Sequence, residues 1–164
     1  MTKGKTNGLD LSSTLNRIVK EVRRVLKADR VAIYLNDLNN DTLRFGASLG
    51  LSKEYREAVS EHWQSLPIAR VARDREVYTC RDTRVEPRFE PIRPAIESEG
   101  YRSIVSAPLL SEDKFQGWLS LYFDEPRDFD DDEKAGIQTF GDMAAIAIQN
   151  ARAFEEIRIR SERQ

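Results

Sequence analysis

Residues 100–123, GYRSIVSAPLLSEDKFQGWLSLYF, decide the fold that we predict for this chain. Two apolar arms flank the polar stretch SEDK at 111–114, a pattern typical of a β-hairpin. Successive side chains of a strand point to opposite faces, so the second arm has an aliphatic face and a face with aromatic and hydroxyl groups. The two sets are Leu119, Leu121 and Phe123, and Trp118, Ser120 and Tyr122. We therefore expect the aliphatic face to pack against a helical layer, and the other face to line either a concave pocket or a second, half-polar core.

The chain before this hairpin predicts a helix and a second hairpin. Residues 1–10 are polar and contain glycine, so we expect a flexible N-terminal segment. From Leu11 onward, apolar residues recur at spacings of four and three, which favours an amphipathic helix. Two runs rich in β-formers, 30–35 and 42–48, flank NDLNND, whose Asn and Asp residues favour a turn. In the first run, Tyr34 points to the face opposite the aliphatic side chains.

The middle of the chain predicts short helices and a long loop. We expect helices over residues 52–63 and from Pro67, then the strand EVYTC at 76–80. Residues 81–94 contain prolines and have no clear period, which predicts a long loop before a short helix at 94–99. After the hairpin, the acidic stretch 124–133 is suited to a helix start, and its spacing is not that of an EF-hand calcium loop.

The last predicted helix, from Asp132 to about residue 163, has apolar residues on more than one face. One face can cover the sheet while another meets a second copy of the chain. A coiled-coil-like seam with one polar position is predicted at Met143, Ala147, Asn150, Phe154 and Ile157. On the first predicted helix, the apolar stripe includes Leu11, Leu15, Ile18 and Val22. We expect residues 157–164 to begin a signalling helix that continues into an output domain.

Composition narrows the functional classes. Twenty-six basic and 28 acidic residues give a net charge of −2, which predicts no general attraction to nucleic acid. No apolar run approaches the roughly 20 residues that cross a bilayer, and the first residues lack a secretory signal, so we expect a cytoplasmic protein without membrane contact. The single cysteine, Cys80, permits neither an internal disulfide nor a cysteine-based metal cluster.

Catalytic motifs are lacking in the sequence, and we predict a protein that is not an enzyme. His62 is the only histidine, and neither a G-x-S-x-G elbow nor a phosphate-binding G-x-x-x-x-G-K-S/T loop occurs. A surface or core role for His62 and a small buried apolar role for Cys80 are the interpretations that we favour. A small enzyme remains a less favoured alternative.

The order of these elements predicts an α+β domain, and several segments resemble the GAF domain. The segments, in chain order, are ADRVAIYLND, SLPIARVARDREVYTCRDTRVEPRF, EGYRSIVSAPLL, FQGWLSLYF and FDDDEKAGIQTFGDMAAIAIQNARAFEE. The resemblance implies a GAF-like domain over residues 11–156 with a central antiparallel sheet of five to six strands. It places the N- and C-terminal helices on one face, and the short helices and the long loop over a ligand pocket on the other. It also implies that the terminal helices build a homodimer interface, to which Leu11, Leu15, Ile18 and Val22 of the first helix and the seam of the last helix contribute.

Three ligand classes known in this family match the sequence poorly. Members that bind cyclic nucleotides carry an Asn-Lys pair after the last strand, where this chain has Phe123 and Asp124. Members that bind bilins use a cysteine in the short helix before the second hairpin, where this chain has PAIESEGYRS. Members that bind haem need an axial histidine, for which this chain has only His62. Members that reduce methionine sulfoxide are enzymes that use several cysteines, whereas this chain has one. We therefore predict no cofactor, and a bilin photoreceptor or a haem gas sensor is a less favoured alternative.

The resemblance implies a sensory or regulatory domain within a multidomain signalling protein, such as a sensor histidine kinase or a cyclic-dinucleotide cyclase. An unidentified small molecule is the expected ligand, and a ligand-free dimerisation module is the alternative. The predicted ligand-binding residues are Tyr34, Trp63, Asp82, Phe89, Tyr101, Arg102, Ser103, Ser120 and Tyr122.

Overall fold

The structure is a computed structural model that describes residues 3–37 and 41–162, with side chains from residue 10 onward. The helices are α1 (Lys3–Leu26), α2 (Lys53–His62), α3 (Pro67–Asp74), α4 (Arg93–Glu99) and α5 (Asp131–Glu162). The strands are β1 (Arg30–Asp37), β2 (Thr42–Leu49), β3 (Tyr78–Cys80), β4 (Ser103–Ser111) and β5 (Lys114–Phe123). The predicted turn between β1 and β2 falls mostly on residues 38–40, outside the described residues.

The five strands form one antiparallel sheet in the order β2-β1-β5-β4-β3. The hairpin that decided the fold supplies two neighbouring strands at the centre of this sheet. Its tight turn is formed by Glu112 and Asp113, whose φ angles of 52° and 65° suit the right-handed twist of the hairpin. The predicted α+β fold class is confirmed.

The sheet separates two cores, so the second of the two alternatives for the face with Trp118 and Tyr122 describes the structure. Helices α1 and α5 pack on one face, against Val31, Leu119 and Leu121. Helices α2, α3 and α4 cover the other face, where Tyr34 and Trp118 are buried. Side chains that neighbour each other along a strand therefore belong to different cores, because the strand period is two residues.

Local side-chain bonds define the ends of several helices. Ser52 caps α2 by accepting a hydrogen bond from the Tyr55 amide at 3.1 Å. Asp130 and Glu133 form a reciprocal capping box at the start of α5, with distances of 2.8 and 2.9 Å. Gly100 ends α4 in the left-handed conformation with φ of 95°.

The long loop predicted over residues 81–94 is largely helical instead. It contains two 3₁₀ helices, Thr83–Val85 and Pro87–Ile92, and α4 begins at Arg93. The guanidinium group of Arg93 donates to the carbonyl oxygens of Thr83 and Glu86, both at 2.8 Å. These bonds join residues that are seven and ten positions apart. The spacing of apolar residues therefore could not predict them.

Two further findings concern the terminal helices. Helix α1 begins at Lys3, before the start predicted at Leu11 and within the segment expected to be flexible. No helix among the described residues is long and apolar enough to span a membrane.

Candidate functional site

Four tyrosines lie together in the core between the sheet and helices α2 to α4. We call them the tyrosine cluster: Tyr34 on β1, Tyr55 on α2, Tyr101 after α4 and Tyr122 on β5. None of them is more than 2% exposed. The ring of Tyr55 meets those of Tyr101 and Tyr122 edge to face, with centroids 5.6 and 5.7 Å away. The Tyr101 and Tyr122 centroids are 4.8 Å apart. Such edge contacts are the favoured geometry of aromatic pairs.

The hydroxyl groups of the tyrosine cluster are not all paired. The Tyr55 and Tyr101 hydroxyl oxygens lie 2.7 Å apart, so one group donates to the other. The Tyr34 hydroxyl is buried and has no hydrogen-bond partner among the described residues. Burial raises the pKa of all four phenol groups. The cluster therefore offers neutral hydroxyl groups to any molecule that reaches it.

Aromatic and hydroxyl side chains surround the tyrosine cluster. The Trp63 and Trp118 ring centroids are 5.2 Å apart, and the Trp118 indole donates to the Ile68 carbonyl oxygen at 2.8 Å. The Ser120 hydroxyl lies 2.7 Å from that of Ser106. The Trp118 bond ties α3 to β5, and the Ser106–Ser120 bond joins β4 to β5, so both pairs of polar groups are satisfied.

Hydrogen bonds between Ser52 and Glu99, which we call the latch, join α2 to α4 beside the tyrosine cluster. The carboxylate of Glu99 accepts from the Ser52 amide at 2.7 Å and from the Ser52 hydroxyl at 2.6 Å. Arg30 donates to the Glu99 carbonyl oxygen at 2.9 Å and forms an ion pair with Asp124. The latch therefore holds the start of α2, which carries Tyr55, against the end of α4.

The predicted ligand-binding residues divide into two groups. Six of them are buried on this face of the sheet: Tyr34, Trp63, Phe89, Tyr101, Ser120 and Tyr122. Asp82 and Arg102 form a partly buried two-bond ion pair with distances of 2.6 and 3.0 Å. Arg102 lowers the pKa of Asp82 by this contact. The Ser103 hydroxyl donates to the Glu125 carbonyl oxygen at 2.7 Å. The other three predicted residues, Asp82, Arg102 and Ser103, therefore already use their polar atoms in bonds within the protein.

Sequence reasoning missed two residues of this region. Tyr55 is central to the tyrosine cluster, and Thr83 has a buried hydroxyl without a hydrogen-bond partner among the described residues. Tyr55 and Val59 are spaced by four on α2 and are both buried. That spacing could have predicted from the sequence that Tyr55 lies on the buried face of α2. No comparable signal marks Thr83, because its burial depends on the fold of residues 81–94.

Four cavities in the described part of the chain lie outside the tyrosine cluster. Two of them, about 370 and 240 Å³, lie between α1 and α5 beside Met143 and Asn150. A third, about 230 Å³, is lined by Phe45 and Arg56, and the fourth, about 150 Å³, lies at the start of α3. The tyrosines line none of these four, and their rings and hydroxyl groups contact one another.

The two residues that the sequence analysis considered for chemistry, His62 and Cys80, differ in their exposure. His62 lies exposed at the end of α2, 4.0 Å from the carboxylate of Glu61. Cys80 is buried on β3, and burial raises the pKa of its thiol, which disfavours the reactive thiolate. Among the described residues, no group of three or more His, Cys, Asp or Glu side chains could hold a metal ion.

The sequence itself identifies the family. Residues 10–148 match the profile of the GAF domain family. The chain belongs to this family. The resemblance inferred from the segments quoted above is therefore confirmed, and the match includes all five strands and most of α5. No curated protein gives a significant match to the chain.

Solved structures share the fold of this GAF domain. A domain of a protein described as a two-component sensor histidine kinase from Sinorhizobium meliloti 1021 is 26% identical, with a TM-score of 0.73. The alignment covers 89% of this chain and 95% of that one. The GAF domain of a Coxiella burnetii phosphoenolpyruvate-protein phosphotransferase is 21% identical, with a TM-score of 0.76 and coverages of 89% and 86%. The Thermosynechococcus elongatus PixJ GAF domain is 16% identical, with a TM-score of 0.71 and coverages of 97% and 96%.

The predicted dimer residues of the GAF domain differ in their exposure. Leu15, Ile18 and Val22 are buried in the core of the protomer itself, against the sheet and α5. Of these three, Ile18 keeps a small exposed area at the groove beside Phe140 and Met143. Met143 and Ile157 are 51% and 65% exposed, and Asn150 is also exposed. The remaining predicted positions are half-buried: Leu11, Ala147 and Phe154.

A different set of α5 residues forms the exposed seam. Positions separated by three, four, three and four residues are all exposed, and they are Met143, Ile146, Asn150, Ala153 and Ile157. Ile146, at 56% exposure, was missed because the broad apolar pattern of α5 does not show which face the sheet covers. We call these five residues the α5 seam.

Proposed function

We propose that this GAF domain is a sensory or regulatory domain of a multidomain signalling protein and acts as a homodimer through its terminal helices. The observation that carries the proposal is the α5 seam, which lies on the far side of the sheet from the tyrosine cluster. A domain of this kind can bind a ligand on the face of the sheet with the tyrosine cluster and change the arrangement of the helices on the opposite face. Its similarity to a domain from a protein described as a sensor histidine kinase supports this role.

The α5 seam has the spacing of a two-stranded coiled coil. Alternating steps of three and four keep these side chains on one stripe of the helix. The opposite stripe, which includes Ile137, Ala144 and Ile148, is buried against the sheet. Exposed apolar side chains in such a row are characteristic of interaction sites. A single polar residue, Asn150, at the centre of the row would fix the register of the two helices.

The grooves beside the α5 seam are suited to a second copy of the chain. The cavity of about 370 Å³ is lined by Ile18, Phe140 and Met143 with Arg17 and Glu21 at its edge. An acidic and a basic residue at the same groove favour a two-fold partner, because each can face its opposite across the axis. We therefore propose a parallel pair of α5 helices flanked by α1, in a cytoplasmic protein.

The tyrosine cluster is the proposed place for a small neutral ligand. The buried hydroxyl of Tyr34 lacks a hydrogen-bond partner among the described residues, and a buried polar group without a partner costs about 1–3 kcal/mol. A ligand that accepts or donates one hydrogen bond there would recover this energy. Because the rings fill the region, ligand entry requires α2 or α4 to move, and the latch between Ser52 and Glu99 is the contact that must open.

Strand β5 connects the two faces. Tyr122 belongs to the tyrosine cluster, while its neighbours Leu121 and Phe123 pack in the core beneath α1 and α5. A ligand shifts the helix pair between two arrangements only if it binds those arrangements with different affinity. The proposed mechanism is such a population shift, and the output is a kinase or cyclase domain joined to the end of α5.

A ligand-free dimerisation module is the second candidate. It is favoured by the pairing of Tyr55 with Tyr101 and by the complete burial of all four tyrosines. Native mass spectrometry of the protein from its own source distinguishes the two candidates. A small molecule that is retained by the wild type and lost by Tyr34→Phe supports the sensor, whereas an unliganded mass in every preparation supports the ligand-free module.

The dimer is tested by light scattering with matched substitutions. Ile146→Glu introduces a charge into the α5 seam, whereas Val85→Glu introduces the same charge at a residue that is 78% exposed outside it. We expect a dimer for the wild type and for Val85→Glu, and a monomer with unchanged circular dichroism for Ile146→Glu. A wild type that stays monomeric at every accessible concentration would contradict the proposal.

A further inference from the structure

The cavity at the start of α3 has an unusual charge distribution. It measures about 150 Å³, and its lining includes the three arginines Arg70, Arg73 and Arg88 but no acidic residue. Gln64 and Ser65 add polar side chains, while Leu66, Pro67 and Ala69 complete the wall. The cavity lies on the outer side of the helices that cover the tyrosine cluster. We call it the arginine cavity.

The guanidinium groups of the arginine cavity retain free donors. Arg88 uses Nε and Nη2 to hold the carboxylate of Glu86, at 3.1 and 3.0 Å, and this leaves its Nη1 group. Arg73 makes one long contact, from Nε to Asp74 at 3.4 Å, which leaves both of its terminal nitrogens. Arg70 is exposed and makes no hydrogen bond within the described part of the chain.

The position of Arg88 is fixed by its surroundings. Glu86 also accepts from the Arg88 amide at 3.0 Å, and the Arg88 guanidinium lies 5.8 Å from the centroid of Tyr78. The contacts to Arg88 lower the pKa of Glu86 to about 2, so this carboxylate stays charged at neutral pH. Arg88 is therefore held in place before a ligand binds, so it loses little conformational freedom on binding. Arg70 and Arg73 are exposed and can adjust to the ligand.

We infer that the arginine cavity binds a phosphate group, either free inorganic phosphate or the phosphate of a small phosphomonoester. Planar guanidinium groups donate paired hydrogen bonds to the oxygen atoms of a phosphate. Because a phosphate group carries up to two negative charges and several oxygen atoms, it can interact with several guanidinium groups at the same time. The volume of about 150 Å³ is small, and the open side of the cavity gives a phosphate group direct access from solvent. This site is separate from the tyrosine cluster and does not depend on the dimer.

The experiment is a ³¹P nuclear magnetic resonance titration of inorganic phosphate and, separately, of O-phosphoserine with the whole chain. The test variant is Arg70→Gln/Arg73→Gln. The control is Arg23→Gln/Arg24→Gln, which removes the same charge from exposed positions on α1. Both substitutions are at exposed residues, so folding is preserved, and circular dichroism checks this.

We expect saturable binding to the wild type and the control, and at least a tenfold weaker affinity for the test variant. Binding should also weaken as salt is added, because the exposed arginines are screened. Stronger binding of O-phosphoserine than of inorganic phosphate would identify a phosphomonoester as the ligand of the cavity. Stronger binding of inorganic phosphate would identify free phosphate as the ligand. An absence of saturable binding to the wild type, or equal affinity in the test variant, would overturn the inference, whatever the oligomeric state.

Discussion

The hydroxyl oxygens of Tyr55 and Tyr101 lie 2.7 Å apart inside the protein, and this bond joins α2 to the segment that leads into β4. Together with the bonds from Ser52 to Glu99 and from Trp118 to Ile68, it holds the short helices over the sheet.

Replacing one member of this pair should destabilise the domain. Tyr101→Phe leaves the Tyr55 hydroxyl buried without this partner, and we expect a loss of about 1–3 kcal/mol in the free energy of unfolding. The double variant Tyr55→Phe/Tyr101→Phe should cost less than the sum of the single variants, because neither hydroxyl is then left unpaired. Urea unfolding measures all three values. Additive losses would show that the two groups are not coupled.

Glu86 should contribute stability that is lost in acid. Its pKa in the folded protein is lowered to about 2, below the ordinary value of 4.5, chiefly by the hydrogen bonds from Arg88. Between these two pH values the unfolded chain binds more protons than the folded one, so stability decreases as the pH falls through this window. We expect Glu86→Gln to cost about 1–2 kcal/mol near neutral pH and almost nothing near pH 2. A difference that is independent of pH in urea titrations would contradict this assignment.

Arg152 should hold α5 to the sheet at the point where the helix leaves the domain. Its guanidinium group donates to the side-chain oxygen of the fully buried Gln116 and to the carbonyl oxygen of Asn36. We expect Arg152→Ala to cost about 1–3 kcal/mol, because it leaves these acceptors without this donor. The control Arg160→Ala removes an exposed arginine that pairs with Glu156 and should cost less than about 1 kcal/mol. Equal effects in urea unfolding would refute the special role of Arg152.

Gly117 should not tolerate a side chain. A Cβ atom there would lie 2.1 Å from the Tyr34 carbonyl oxygen of the neighbouring strand. Gly117→Ala should cost about 3 kcal/mol or more, since β1 and β5 must separate to accommodate it. The control Gly136→Ala lies on α5 with nothing within 4 Å, and it should be neutral or stabilising by up to about 1 kcal/mol. Thermal unfolding compares the two variants, and a tolerated alanine at position 117 would disprove the close approach.

The sheet and its two faces could be predicted from the sequence because a strand repeats every two residues. Tyr34, Ser120 and Tyr122 were assigned to one face on this basis, and the structure places them there. The short helix predicted over residues 94–99 also ends where expected, and Gly100 after it adopts the left-handed conformation that glycine takes at little cost.

Features that depend on distant contacts could not be predicted. The 3₁₀ helices over residues 81–94 rest on bonds from Arg93 to carbonyl groups earlier in the chain. The first-helix positions Leu15 and Val22 were assigned to the dimer, yet the same apolar stripe covers the sheet of the protomer itself. On α5, Ile146 could not be separated from the buried residues because a helix of 32 residues with apolar side chains on several faces has no single period.

Disulfide cross-linking along α5 tests the central claim most directly. In a Cys80→Ser background, Asn150→Cys and Ile157→Cys place single thiols one heptad apart on the α5 seam, and Ile159→Cys places one on the opposite side of the same helix. A parallel two-fold pair brings each seam residue next to its own copy. We predict that both seam variants form covalent dimers readily under mild oxidation, whereas Ile159→Cys does not. Equal cross-linking at all three positions, or none at Asn150→Cys and Ile157→Cys, would contradict the proposed dimer.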